Sequence, residues 1–190
     1  MKVLIGCEYS GKVRQAFRNK GHDAWSCDII PSDDNSPFHI QDDIMNQLDN
    51  GWDMMICFPP CTHLCVSGAR WFKDKIPEQN EALNFVKTLL SCNIPKIVLE
   101  NPVGIISTRI RKPDQIIQPY EFGHAETKKT CLWLKGVPKL DGTNNVYKEM
   151  MELPKKLRNR IHYMPKTKNR GKDRSETFTG IADAMADQWG

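Results

Sequence analysis

No stretch of the 190-residue chain approaches the roughly 18 consecutive apolar residues of a membrane-spanning helix. The apolar run at residues 1–6 is too short for a signal peptide and polar residues follow at once, so the expected location is the cytoplasm. There is no internal repeat and no low-complexity tract. No zinc knuckle is spelled either. Cys57, Cys61, His63 and Cys65 come nearest, but Cys57 lies inside an apolar run, and no metal is expected. The three-glycine dinucleotide fingerprint is missing, since the first loop offers only Gly6 and Gly11. The seven cysteines are odd in number and too sparse for a secreted disulfide scaffold, so reduced thiols are expected.

What is there reads as an ordinary globular chain. Hydrophobic residues make up 39% and charged residues 26%, which excludes wholesale disorder. The length suits one domain, and a chain of this size folds without a metal or a disulfide. The net charge of +4 is unevenly placed. Residues 155–174 hold nine basic residues and one acid, Asp173, for +8, which leaves −4 on the rest. A basic strip on an acidic body points to a polyanion partner, although a solvated loop accounts for the charge equally well.

The hydrophobic pattern alternates. Residues 2–5 predict a buried strand. Val13, Ala16 and Phe17 predict a helix to about Lys20, stopped by Gly21. Residues 24–27 predict a second strand ending at Asp28, and residues 31–38 a loop. Asp42, Asp43 and Ile44 open a short helix ending near Gly51. Residues 54–58 predict a third strand, stopped by Pro59 and Pro60. Residues 77–91 carry Leu83, Val86, Leu89 and Leu90 on one helical face, and residues 96–99 predict a fourth strand. This alternation predicts an open, mostly parallel, doubly wound α/β sheet. Further on, residues 131–134 predict a strand and residues 181–189 a terminal helix.

Sheets of this kind bind ligands beyond the carboxyl ends of their strands. Asp28 stands where a carboxylate can accept both hydroxyls of a ribose, and an exposed acid after a strand looks the same. Pro59 and Pro60 stiffen the chain before Cys61, and a rigid loop suits a nucleophile. A thiol needs a nearby cation to ionise, and His63 and Arg70 are close in sequence. A buried structural thiol is the plainer reading of Cys61. Glu100 ends a buried strand, where desolvation raises a carboxyl pKa and suits it to share a proton; a surface acid at a strand end is the alternative.

Together these loops resemble the cytosine carbon-5 DNA methyltransferase family. Pro60-Cys61 after a strand resembles its catalytic motif, followed through Val66 and Gly68, and Glu100-Asn101 resembles its Glu-Asn-Val signature with Pro102 in place of valine. The match covers residues 3–104 and is closest to small phage and prophage members, including residues 118–138 and 177–190. The resemblance implies a Rossmann-like, class I fold using S-adenosylmethionine, with residues 1–190 as one methyltransferase-like domain. It implies that Cys61 adds to pyrimidine carbon 6 and that Glu100 contacts ring nitrogen 3 and the exocyclic amine. Lys128, in the stretch 126–130, would supply a cation. Glu8, Tyr9, Ser10 and Gly11 would hold the methionine part of the cofactor, Asp28 its ribose, Ile29 and Asp43 its adenine, with Pro59 beside them. The family flips its target base out of the duplex.

The departures are specific. Thr62 stands where the family has Gln, Cys65 where it has Ser, and the late glycine-asparagine signature appears only as Gly180-Ile181-Ala182. The amino-directed methyltransferases place Asp or Asn before two prolines, and here that residue is Phe58. Residues 136–175 form a basic insert where the family has a larger target-recognition domain. Lys155, Lys156, Arg158, Arg160, Lys166, Lys168, Arg170, Lys172 and Arg174 would contact DNA phosphates, which position without reading sequence. The expectation is low sequence specificity, strong salt dependence, and a protein partner that supplies recognition. Tyr163 and Trp71 would stack on a base or simply pack. Two alternatives stay open: a pyrimidine nucleotide as substrate, and a protein that binds DNA or S-adenosylmethionine without turnover.

Overall fold

In the computed structural model, which describes residues 1–66, 74–168 and 170–190, the apolar runs assemble into one seven-stranded sheet. Its strands are β1 (Lys2–Gly6), β2 (Asp23–Asp28), β3 (His39–Gln41), β4 (Met54–Cys57), β5 (Lys96–Pro102), β6 (Gln115–Ile117) and β7 (Thr130–Lys135). They lie in the order β3-β2-β1-β4-β5-β7-β6. Pairs among β1 to β5 are parallel, and β7 runs antiparallel to both β5 and β6. The helices are α1 (Lys12–Asn19), α2 (Ile76–Ser91), α3 (Ile106–Arg109), α4 (Tyr147–Glu152), α5 (Lys155–Arg158), α6 (Arg160–Tyr163), α7 (Arg170–Ser175) and α8 (Thr179–Trp189). This is the open, mostly parallel α/β fold that the alternating pattern predicts, and it is Rossmann-like, as the resemblance implies.

Continuous apolar runs are what strands buried on both faces require. Successive side chains point to opposite faces. Val3, Ile5, Met54, Ile56 and Val98 therefore pack with Phe17 of α1 and Met185 of α8. Leu4, Met55, Ile97 and Leu99 pack on the other face with Leu83, Val86 and Leu89 of α2. Gly21 closes α1 at φ 82°, and its N–H reaches the Arg18 carbonyl at 2.9 Å. Among the described residues no helix is long and apolar enough to cross a membrane.

Three local features differ from the sequence pattern. The short helix expected from Asp42 to Gly51 shrinks to a single 3-10 turn, Ile44–Asn46. Its backbone bonds run three residues back, from the Asn46 N–H to the Asp43 carbonyl at 3.0 Å and from the Gln47 N–H to the Ile44 carbonyl at 2.9 Å, the tighter 3-10 spacing that is seldom extended. Strands β3 and β6 are each three residues long at the sheet's edges, too short to give a period. Strand β5 runs on past Leu99 because Glu100, Asn101 and Pro102 pair with Leu132, Cys131 and Thr130 of β7. Glu100 is thus held within a strand.

Candidate active site

The carboxyl ends of the parallel strands bring three loops together. The first leaves β1 at Gly6, where a side chain would collide with Ile44. Gly11 sits at φ 71°, and an added Cβ would run into the Arg14 guanidinium. Between them Glu8 turns inward. Its carboxylate accepts the N–H groups of Val13 at 2.7 Å and Arg14 at 3.3 Å, first-turn donors that no helical carbonyl serves. The Ser10 hydroxyl donates to it at 3.4 Å. Burial still wins: Glu8 is 5% exposed, and desolvation pushes its pKa up to about 7 against those donors and Arg14. Glu8 organises the loop from within, while Tyr9 and Ser10 stay half-buried at its rim.

Arg14 is fully buried and braces the second loop. It donates to Ser26 Oγ at 2.7 Å and to Asp34. Ser26 in turn pairs with His39 Nδ1 at 2.8 Å, and His39 Nε2 with the Ile30 carbonyl at 2.9 Å. A carbonyl only accepts, so His39 donates from Nε2. This relay fixes the turn after β2. There Asp28 accepts the Ile30 N–H at 3.2 Å, burial raises its pKa, and Ile29 is 72% exposed. Asp43 is exposed and uses one oxygen for the Met45 N–H at 3.0 Å, which leaves the other for a ligand. A carboxylate, an exposed apolar side chain and a second acceptor match the chemistry of an adenosine.

The third loop carries Cys61. Prolines 59 and 60 have no N–H to donate, so the loop needs other anchors. Asn101, 1% exposed, donates Nδ2 to the Pro59 carbonyl at 2.8 Å. The N–H groups of Leu64 and Cys65 both return to the Cys61 carbonyl at 3.0 Å. An antiparallel bridge joins Cys65 to Gly104, and the Ile105 N–H reaches the Leu64 carbonyl at 2.8 Å. A Cβ on Gly104 would overlap that carbonyl, so the close approach requires glycine.

Adjacent residues of a strand face opposite ways. While Asn101 holds the loop, Glu100 lines a cavity of about 10 Å³ with Phe58, Lys128, Thr130, Phe178 and Ile181. That is room for one water-sized group. Burial raises the Glu100 pKa, opposed by the Lys128 charge and the Thr130 hydroxyl. The half-buried Cys61 thiol is also pushed up: by the hydrogen bond it shares with Cys65, then by burial, then by the Glu100 carboxylate. Among the described residues no activating cation is among these causes. His63 is half-buried, its Nδ1 enclosed and without a hydrogen-bond partner among the described residues, and Arg70 lies outside them, as do Gly68 and Trp71. Among the described residues no group of three or more His, Cys, Asp or Glu is placed to hold a metal ion.

The basic strip is not one uniform cationic face. Its end crosses the first loop: Lys172 pairs with Asp33 and stands 5.3 Å over the Tyr9 ring, and Ser175 Oγ meets the Tyr9 hydroxyl at 3.1 Å. Glu176 pairs with Lys12 at 2.7 Å and accepts Lys128 Nζ at its carbonyl at 3.2 Å. Arg160 pairs with Glu126 at 2.9 Å, while Arg158 and Arg170 donate to the carbonyls of Met151 and Met164. Arg174 is half-buried. Lys155, Lys156, Lys166 and Lys168 are exposed and, among the described residues, make no ion pair.

Arg14, Ser26, His39 and Gly104 hold the three loops in place, and sequence reasoning did not single them out. Arg14 had one signal, a position three residues before Phe17 that borders the buried face of α1. Ser26 and His39 had none, because their partnership depends on the register of β2 against β3.

No protein-family model matches the chain, and no curated protein matches it. Among solved structures it is similar to a prophage-encoded E. coli protein described as a candidate DNA modification methyltransferase, at 15% identity and a TM-score of 0.45. The likeness covers 80% of this chain and 55% of that one, so the chain spans about half the length of that structure.

Proposed function

We propose that this chain is a methyltransferase that uses S-adenosylmethionine and acts on carbon 5 of cytosine in DNA through a covalent bond to Cys61. One observation carries the reading. Two consecutive residues of β5 serve one centre from opposite faces: Asn101 anchors the Pro59 carbonyl in the Cys61 loop, and the Glu100 charge acts on the Cys61 thiol. The acceptors Asp28 and Asp43 and the exposed apolar Ile29, suited to an adenosine, border the same carboxyl end of the sheet.

The chemistry follows from those positions. The Cys61 thiol first gives its proton to solvent, because only the thiolate attacks. A bond then forms between Sγ of Cys61 and carbon 6 of the ring. Glu100 faces ring nitrogen 3 and shares a proton with it, and so takes up the charge that addition drives onto the ring. Lys128 balances the carboxylate. Carbon 5 becomes the nucleophile, and S-adenosylmethionine, when bound, supplies an electrophilic methyl group. Loss of the carbon-5 proton to a base then re-forms the ring double bond, breaks the bond between sulfur and carbon 6 and releases Cys61 as its thiolate, while the proton on nitrogen 3 returns to Glu100.

The raised Cys61 pKa favours a second reading, a protein that binds DNA or cofactor without turnover. DNA carrying 5-fluorocytosine separates the two, since fluorine cannot leave as the proton does and the adduct persists. Incubation with S-adenosylmethionine should give a protein–DNA adduct by mass, absent in Cys61→Ala. No adduct from a chain that binds both ligands would support the second reading.

A further inference from the structure

Four of the large apolar side chains left exposed lie close together in sequence, within the basic segment or beside it. Tyr147 and Met151 are 47% exposed, Leu157 54% and Tyr163 46%. Tyr147 and Met151 sit four residues apart on α4 and so share a face. Arg158 reaches Met151 Sδ at 3.3 Å, which brings α5 against that face. The Tyr163 ring is braced edge-on by His162 at 5.3 Å. Buried Met150 and Ile161 fasten the segment to the body, so these exposed rings are displayed from anchored helices.

The segment is also tied to the candidate pocket. The Thr127 N–H donates to the Arg158 carbonyl at 2.8 Å, its hydroxyl donates to Asn159 Oδ1 at 2.6 Å, and Glu126 pairs with Arg160. Lys128, which lines the cavity with Glu100, is the next residue. Residues 158–160 therefore stand at the rim of that site, and the exposed rings and the exposed lysines Lys155, Lys156, Lys166 and Lys168 flank them in the chain.

Resting on the function proposed above, we infer that this rim binds an unpaired DNA strand, so that the cytosine arrives single-stranded. Phosphates are the complement of the lysines. Stacked duplex bases hide their faces from tyrosine rings, and an open strand presents them. The rim offers no long helix to lay along a duplex groove: α4 to α7 span four to six residues each, at most about 9 Å. An unpaired base also enters a pocket without the cost of flipping.

Fluorescence anisotropy tests this with three labelled probes of about 16 nucleotides: a single strand, the same sequence as duplex, and an abasic deoxyribose-phosphate strand. The single strand should bind about tenfold tighter than either of the others. Tyr163→Ala should weaken the single strand about tenfold and leave the duplex nearly unchanged, and Tyr163→Phe should restore it. Equal or tighter binding of the duplex or the abasic strand would overturn the inference, as would an equal loss of both DNA forms in Tyr163→Ala. Binding is read without turnover. A chain that prefers the single strand but methylates neither form would count against the proposed activity alone.

Discussion

Glu8 makes a quantitative prediction that does not depend on function. In the folded chain its carboxyl is buried against the first turn of α1, and its pKa rises from the ordinary 4.5 to about 7. The native state therefore holds this proton at a pH where the unfolded chain has lost it. Between about pH 4.5 and 7 the native state binds more protons, so stability falls as pH rises through that window. At about 1.4 kcal/mol per pH unit, the shift is worth about 3 kcal/mol. For a chain of this size that is roughly 10 °C in Tm. Glu8→Gln keeps an oxygen for the Val13 and Arg14 N–H groups but does not titrate. Urea unfolding of both chains from pH 4 to 8 gives a difference curve in which the other titrating groups cancel. It should move in favour of Glu8→Gln by about 3 kcal/mol across the window. A flat difference curve would refute the argument that burial outweighs the capping donors.

Asn101→Ala leaves the Pro59 carbonyl without its donor and should cost about 1–3 kcal/mol in urea unfolding. A loosened Cys61 should also form the 5-fluorocytosine adduct about 10²-fold more slowly; an unchanged adduct rate would deny Asn101 its anchoring role. Glu100→Gln should lower methyl transfer by about 10²-fold or more while the calorimetric Kd for S-adenosylmethionine stays put, and a parallel loss of cofactor binding would contradict its assignment to the pyrimidine. Replacing Lys155, Lys156, Lys166 and Lys168 by Glu should weaken DNA binding alike across sequences. It should also flatten the slope of log K against log salt by about 0.9 per lost duplex phosphate contact, or about 0.7 on a single strand; loss at one sequence only would speak against phosphate contacts.

The central sheet was legible because its strands are buried on both faces and stand out as apolar runs between helices with a clear stripe. Val3, Leu4 and Ile5 announce β1 in this way, and Leu83, Val86 and Leu89 announce α2. The edge strands β3 and β6 were not legible, since three residues hold no period. The loops bearing Glu8 and Cys61 and the strand end at Asp28 could be placed because a parallel sheet puts its sites there, whereas Glu100 proved to lie within β5. Their electrostatics could not. Burial of Glu8 and the Cys65 neighbour of Cys61 arise only when the chain closes up. The basic strip shows the same limit. Composition counts Lys172 and Arg160 with the other cations, and only the fold reveals that Asp33 and Glu126 have taken them.

The most direct test of the proposed activity is transfer of isotopic label from methyl-labelled S-adenosylmethionine to unmethylated mixed-sequence DNA, with Cys61→Ala alongside. Label on carbon 5 of cytosine, absent with Cys61→Ala, is the predicted result. Label at another position, label that survives the substitution, or no label from a chain that binds the cofactor by calorimetry would contradict it.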